Sequence, residues 1–288
     1  MKNLKWMFLD DDGIVTDLSP ITSLADFHKA QWELGNVFFH ANHALRPESD
    51  KIYYRGDCIG RSLGESKRVS PESLKRTFED YKRRCPISGE SEWETYIRMR
   101  HAGVRNTTLL DWTASPEIAI WFAIHDNSGN LKASNTGTLW AFRYTEEDIM
   151  FPENESEPIP SNGGSRSVIG LSYEEVAHCF YENGGMLGER PTKQKSAIVR
   201  LKLTEPDEKG VQYVLPMDKD PLFRGRLIRI EIEGDYESIN AELNIWLEHE
   251  IMRRSFFSCY LALYNRRNER DYKVVQELND TYEKELIK

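Results

Sequence analysis

The residues best equipped for chemistry lie in a few short blocks. Thr107 to Ile124 reads TTLLDWTASPEIAIWFAI, which sets a carboxylate (Asp111) and a hydroxyl (Thr113) between a short apolar run and a helix start. Ser115 is an N-cap residue type, Pro116 suits the first helical position, and Glu117 falls in the first turn, where the helix dipole favours a negative charge. Free backbone N–H groups at such a start often hold ligands. The same residues equally suit a buried strand and helix whose Asp111 caps a turn. In Tyr54-Arg55-Gly56, an Arg at a strand end can make bidentate contacts with phosphate or carboxylate, and Gly56 lets the backbone approach a ligand closely. Alternatively, Arg55 pairs with a structural carboxylate. His101, shortly before Gly103, and Gln194, at the start of an expected strand, are further polar candidates. Glu231 and Glu233 lie two apart, on one face of another expected strand. That spacing also suits a solvent-facing polar edge.

These groups need elements to position them. Residues 51–55 (KIYYR) read as a strand that Gly56 ends. Helices are expected over 23–34, with Ser23 as cap and Asp26 at N3, over 70–84, with Ser70 and Pro71 opening it, and over 90–101, with Trp93, Tyr96, Ile97 and Arg100 near one stripe. In the helix from Pro116, Ile118, Ala119, Trp121, Phe122 and Ala123 make an apolar face. Further strands are expected at 37–40, 137–144, 194–203, 211–215 and 227–232. Residues 146–169, rich in Pro, Gly, Ser and Glu, read as a long loop. Helices follow at 172–181, capped by Ser172, and at 236–250, and the segment from Arg253 ends in a charged helix. Arg253, Arg254, Arg266 and Arg267 read as a solvated basic face.

Bulk composition narrows the class. With 39% hydrophobic and 11% aromatic residues among 288, the chain can bury a sizeable core. A net charge of −9 argues against a broadly nucleic-acid-binding surface. The four cysteines, Cys58, Cys85, Cys179 and Cys259, are scattered, which suggests neither a zinc site nor a disulfide framework and fits a reducing cytoplasm. No run is apolar enough for a membrane span, and MKNLKWMFLDDDG is too acidic for a signal peptide. Residues 5–9 read as a short strand. The following Asp10-Asp11-Asp12-Gly13 superficially resembles the nucleophile loop of haloacid-dehalogenase-like phosphatases, but Ile14 replaces the usual Thr, and a solvated turn accounts for it better.

Taken together, Tyr54-Arg55-Gly56, Arg100-His101-Ala102-Gly103 and Leu109-Leu110-Asp111-Trp112-Thr113 resemble the signature blocks of the bacterial FRG domain family. They match its Phe-Arg-Gly, Gln-His-x-Gly and Leu-Leu-Asp-Trp-Thr. Pro116 and the helix to Ala123 match the apolar helix that follows. Arg190 to Ile198 matches more weakly, keeping Gln194 while Ser196 and Ile198 replace the family's Gly and Phe. The sequence departs at Tyr54, at Arg100 and at Arg105-Asn106-Thr107-Thr108, which replaces Pro-Thr-Arg with one extra residue. A more distant resemblance is to ADP-ribosyltransferases, in which a Tyr-Arg-Gly strand holds NAD, a Ser-Thr-Ser-type strand leads into a helix near Pro-Glu, and a glutamate on a later strand completes the site.

These resemblances imply an α+β fold: a split, mostly antiparallel sheet core like that of ADP-ribosyltransferases, with flanking helices. Its expected divisions are an N-terminal strand and acidic turn over 1–20, the FRG-like domain over 21–235, and a helical extension over 236–288. The implied function is that of an NAD-dependent ADP-ribosyltransferase or NAD glycohydrolase, a toxin or phage-defence effector. The alternative is a non-catalytic nucleotide- or protein-binding module. NAD is the expected substrate, with a macromolecular acceptor left undefined and a partner or inhibitor protein allowed. Arg55, Asp111 and Gln194 are the expected catalytic residues, and Tyr54, Arg55, Gly56, His101 and Thr113 the expected NAD-binding residues. Thr113 would orient Arg55 or the ribose. The carboxylate that meets the developing oxocarbenium charge is Asp111, Glu231 or Glu233, because Gln194 is not an acid.

Overall fold

The computed structural model describes residues 20–29, 51–58, 63, 68–126, 130–132, 136–144, 159, 168–170, 196–223, 226–249 and 269–286. Gln194, the acidic turn at 10–13, the strands expected at 5–9 and 37–40, the helix expected at 172–181 and the arginines at 253–267 lie outside them. The described architecture is α+β. The pairs of Lys51–Cys58 with Leu109–Thr113 and with Thr136–Tyr144, of Thr136–Tyr144 with Leu227–Glu233, of Arg68–Val69 with Gln212–Tyr213 and of Val168–Gly170 with Ser196–Arg200 are antiparallel, and the isolated bridge from Ile21 to Ile232 is parallel. No helix among the described residues is long and apolar enough to cross a membrane.

The chain divides into two units. The first comprises Met1–Leu63, Trp112–Asp148 and Met217–Phe256, and the second Gly64–Asp111, Ile149–Pro216 and Phe257–Lys288. In the first unit, helical residues 24–29 (α1) are held at their start by Ser23, whose Oγ accepts from Asp26 N–H at 3.1 Å. Strand β1 (Lys51–Cys58) pairs with β4 (Thr136–Tyr144), and β4 pairs with β8 (Leu227–Glu233). The last residues of β3 (Leu109–Thr113) join β1 through the Tyr54–Thr113 pair.

Gly56 does not end β1, because the ladder continues to Cys58 opposite Gly137. Its role is set by helix α4 (Pro116–Ile124), which lies directly on it. A Cβ at Gly56 would stand 1.8 Å from the Ala119 carbonyl oxygen. Gly137, beside it on β4, is nearly as tight, with the Ala123 carbonyl oxygen at 2.9 Å. Two glycines on neighbouring strands thus make a trough for a helix that presents Ala119 and Ala123 four residues apart. The helix is buried nearly all round, with only Phe122 partly exposed, and not along one face alone. It packs with Tyr54, Leu139, Ala141, Ile228, Ile230 and Ile232 in one apolar cluster, joined by Tyr236, Ile239 and Leu243 of α5 (Tyr236–His249).

The far end of α4 is closed by two side chains. Lys132 donates to the carbonyls of Phe122 and Ala123, at 3.2 and 2.8 Å, where the helix dipole favours a cation. His125 stacks on Trp121, with ring centroids 4.4 Å apart, and its Nδ1 lies 2.9 Å from the Trp121 carbonyl oxygen. Burial lowers the His125 pKa. The Trp121 hydrogen bond opposes that shift, the Lys132 charge adds to it, and Asp126 works weakly against it. The neutral ring therefore favours the fold. Its contribution is fully present above the ordinary histidine value of 6.5 and is lost as pH falls through the depressed folded value. Urea unfolding at pH 7.5 and pH 5.5 should show a smaller loss of stability on acidification in His125→Gln than in the native protein. Equal losses would contradict this account.

In the second unit, helices α2 (Pro71–Arg84) and α3 (Glu92–His101) are capped by Ser70 and Ser91, and Ser91 and Glu94 form a reciprocal capping box. Arg98 is the buried anchor between them. Its guanidinium meets Glu90 through two bonds of 2.7 Å, and also donates to the Tyr81 hydroxyl and the Cys85 carbonyl. With the pair so well satisfied, removing one partner would cost about 3–5 kcal/mol. Short antiparallel pairs join β2 (Arg68–Val69) with β7 (Gln212–Tyr213) and β5 (Val168–Gly170) with β6 (Ser196–Arg200). Helix α6 (Glu269–Leu286) buries Val274, Val275, Leu278 and Tyr282. Its Asn279 side chain donates to the Gly103 carbonyl and accepts from Arg105 N–H. Ion pairs from Glu277, Glu283 and Glu285 to Arg84, Arg105 and Arg76 frame the contact.

Candidate functional site

The two faces of the first unit's sheet divide the expected site residues. Residues directly opposite each other on paired strands share a face, and neighbours along a strand alternate. Tyr54 pairs with Thr113 and Ala141, so these three point toward α4. Tyr54 is a core residue there, and Gly56 is required by the helix above it, so packing against α4 accounts for both residue types. Thr113 is turned away from the face of Arg55. Its Oγ1 accepts from Ser115 N–H at 3.0 Å, Ser115 Oγ accepts from Ile118 N–H at 3.5 Å, and the Ser115 hydroxyl donates to Glu117 at 2.7 Å. That chain of bonds organises the start of α4.

The other face carries the charged residues. Arg55 pairs with Trp140, which pairs with Arg229; one step along, Asp57 pairs with Thr138, which pairs with Glu231. Two cross-strand rows result: arginine, indole, arginine beside carboxylate, hydroxyl, carboxylate. Arg55 reaches Asp57 at 3.3 Å, with both side chains about four-fifths buried (21% and 17% exposed). The Arg229 guanidinium lies 5.9 Å from the Trp140 ring centroid. At the far end of this face, Phe142 contacts the rings of Trp112 and Phe223, at 5.6 and 5.4 Å. Trp140 and Trp112 are both buried, and neither indole N–H has a hydrogen-bond partner among the described residues. Glu231 is half-buried, whereas Glu233, opposite Thr136, is exposed.

Among the described residues, neither the Arg229 guanidinium nor the Glu231 carboxylate has a hydrogen bond or ion pair, although they stand two apart on one strand face. Strand spacing of about 4.8 Å and rise of about 3.3 Å per residue put the Cα atoms of Arg55 and Glu231 roughly 12 Å apart. A cation and a carboxylate at that separation can hold a phosphate at one end of a ligand and meet positive charge at the other.

Asp111 and His101 belong to the second unit. Asp111 pairs with Arg100 at 2.9 Å, both side chains being partly exposed. His101 is buried at the end of α3. Of the carboxylates expected to serve chemistry, Asp111 therefore already has a cation, whereas Glu231 does not. Arg229 and Asp57 were not among the expected site residues. The alternation of Arg229, Glu231 and Glu233 along one strand was the available signal, but only the register to β4 and β1 aligns that strand with Arg55.

No curated protein and no solved structure matched the chain. A family model did match, over a stretch running through β1, α2, α3, β3 and α4 and stopping short of β4 and β8: residues 39–131 match the FRG domain.

Proposed function

We propose that the chain is an NAD-consuming enzyme of the ADP-ribosyltransferase type, with its reaction on the sheet face of Arg55 and Glu231. The observation that carries this reading is the register of β1, β4 and β8, which gives Arg55 and an unpaired Glu231 the same face. Arg55, the arginine of Tyr-Arg-Gly, would bind the pyrophosphate or the nicotinamide ribose. The bond between the ribose anomeric carbon and the pyridinium nitrogen would then break, its electron pair leaving with nicotinamide. The oxocarbenium charge left on the sugar would be stabilised by Glu231. Water or an acceptor group would add to the anomeric carbon and lose a proton to Glu231.

Incubation with labelled NAD and a broad acceptor pool tests this. Nicotinamide release or label transfer is expected, reduced about 100-fold or more by Arg55→Ala in a protein that stays folded. Folded protein giving neither signal would refute the reading. Saturable NAD binding without turnover would favour the non-catalytic binding module.

A further inference from the structure

We propose that Arg229 is a second anion-binding residue on this face, sharing with Arg55 the diphosphate of a nucleotide ligand; this rests on the reading of the face as an NAD site. Three features carry it. First, the register sets Arg229 directly beyond Trp140 from Arg55, so the two arginines stand on either side of one buried tryptophan. Their Cα atoms are about 10 Å apart by strand spacing, a gap that two arginine side chains can close from either side around a pyrophosphate. Second, the charge on Arg55 is partly neutralised by Asp57 at 3.3 Å, while Arg229 has no carboxylate partner among the described residues although Glu231 is two residues away. The uncompensated cation of the pair is thus Arg229. Third, the protein carries a net charge of −9, so a polyanionic ligand needs a local positive centre to offset the general repulsion. A guanidinium resting against an aromatic ring keeps its in-plane N–H donors directed outward, the geometry that two phosphate oxygens accept.

Division of labour follows. The two arginines hold the diphosphate, which does not change in the reaction, while Glu231 meets the ribose that does. Arg229 is then a binding residue whose removal acts on affinity more than on the rate at saturation.

Calorimetric titration of the full chain with ADP-ribose and with adenosine tests the proposal, alongside nicotinamide release from NAD. Arg229→Ala should weaken ADP-ribose binding roughly 10- to 100-fold, raise KM for NAD by a similar factor with kcat changed less than about threefold, and flatten the salt dependence of binding. Adenosine, which lacks the phosphates, should bind both proteins alike. Arg229→Lys should recover part of the loss, since it restores charge without the planar donors. ADP-ribose binding unchanged in Arg229→Ala would overturn the proposal and leave the NAD reading standing. Native protein that binds ADP-ribose through Arg229 yet releases no nicotinamide would sustain the proposal and refute the enzyme. Failure of native protein to bind ADP-ribose would overturn both.

Discussion

Glu231→Gln should lower nicotinamide release by about 100- to 1,000-fold, the usual loss when a group aimed at developing transition-state charge is removed. The substitution keeps side-chain length and shape and removes only the charge. Among the described residues Glu231 makes no ion pair or hydrogen bond, so the midpoint of urea unfolding should not move. That separation of activity from stability distinguishes a catalytic carboxylate from a scaffold residue. Glu233→Gln provides the control, because Glu233 is exposed and lies opposite Thr136, one pair further along the strand. Asp111→Asn would instead weaken the pair with Arg100. Full activity in Glu231→Gln together with its loss in Asp111→Asn would return the carboxylate role to Asp111.

The second large effect is on folding. Gly56→Ala should destabilise the protein by about 3 kcal/mol or more, at or beyond the upper end of ordinary overpacking. The added methyl would meet the Ala119 carbonyl oxygen at 1.8 Å, the Ala123 nitrogen at 2.5 Å and the Ala119 carbonyl carbon at 2.9 Å. All three are backbone atoms of a helix buried nearly all round, so no side chain can rotate away. The helix must lift from the sheet, taking Ile120, Ala123 and Ile124 out of the apolar cluster. Denaturant unfolding followed by tryptophan fluorescence should register the change, since Trp121 is on that helix and Trp140 on the strand beneath it. An unchanged midpoint would mean that the strand and helix are not in this close contact. Gly137→Ala should act in the same direction with smaller effect, its nearest contact being 2.9 Å.

Much of the fold is legible from local chemistry. The caps at Ser70 and Ser115, the proline at the first turn of α2 and α4, and the alternation in β4 and β8 each depend on neighbouring residues, and the elements formed where those signals stand. What could not be read locally is register. Arg55, Gly56, Thr113 and Asp111 look like one polar constellation when taken as motifs. The pleat instead turns Thr113 toward the helix with Tyr54 and gives Arg55 the company of Trp140, Arg229 and Glu231. A one-residue shift in strand pairing would reverse those assignments, and no short motif specifies it. Gly56 is a second example. A glycine after KIYYR suggests a strand end, and only the position of α4, joined to β1 from far along the chain, explains why a side chain is forbidden there. Arg100, read as a departure from a glutamine, proves to be the counter-charge of Asp111. β2 and β5, of two and three residues, are too short to leave a periodic trace, whereas β6 and β7 lie within the strands expected at 194–203 and 211–215.

The interleaving of the two units also sets an order of events during synthesis. β1 gains its partner β4 only after some eighty further residues, and β4 gains β8 only near residue 230. Helix α2 waits longer still, since Ser73 meets Glu285 across 212 positions. Assembly is therefore dominated by distant closures, which are slow because a long stretch of chain must be gathered before the contacts repay it. On the ribosome the early strand emerges with both edges bare, and it stays so until β3 and β4 have followed, about half of the 288-residue polypeptide. A nascent chain in that condition is exposed to mispairing with its neighbours, so the yield of native protein should depend on chaperone supply and on the rate of translation more than the stability of the finished fold would suggest.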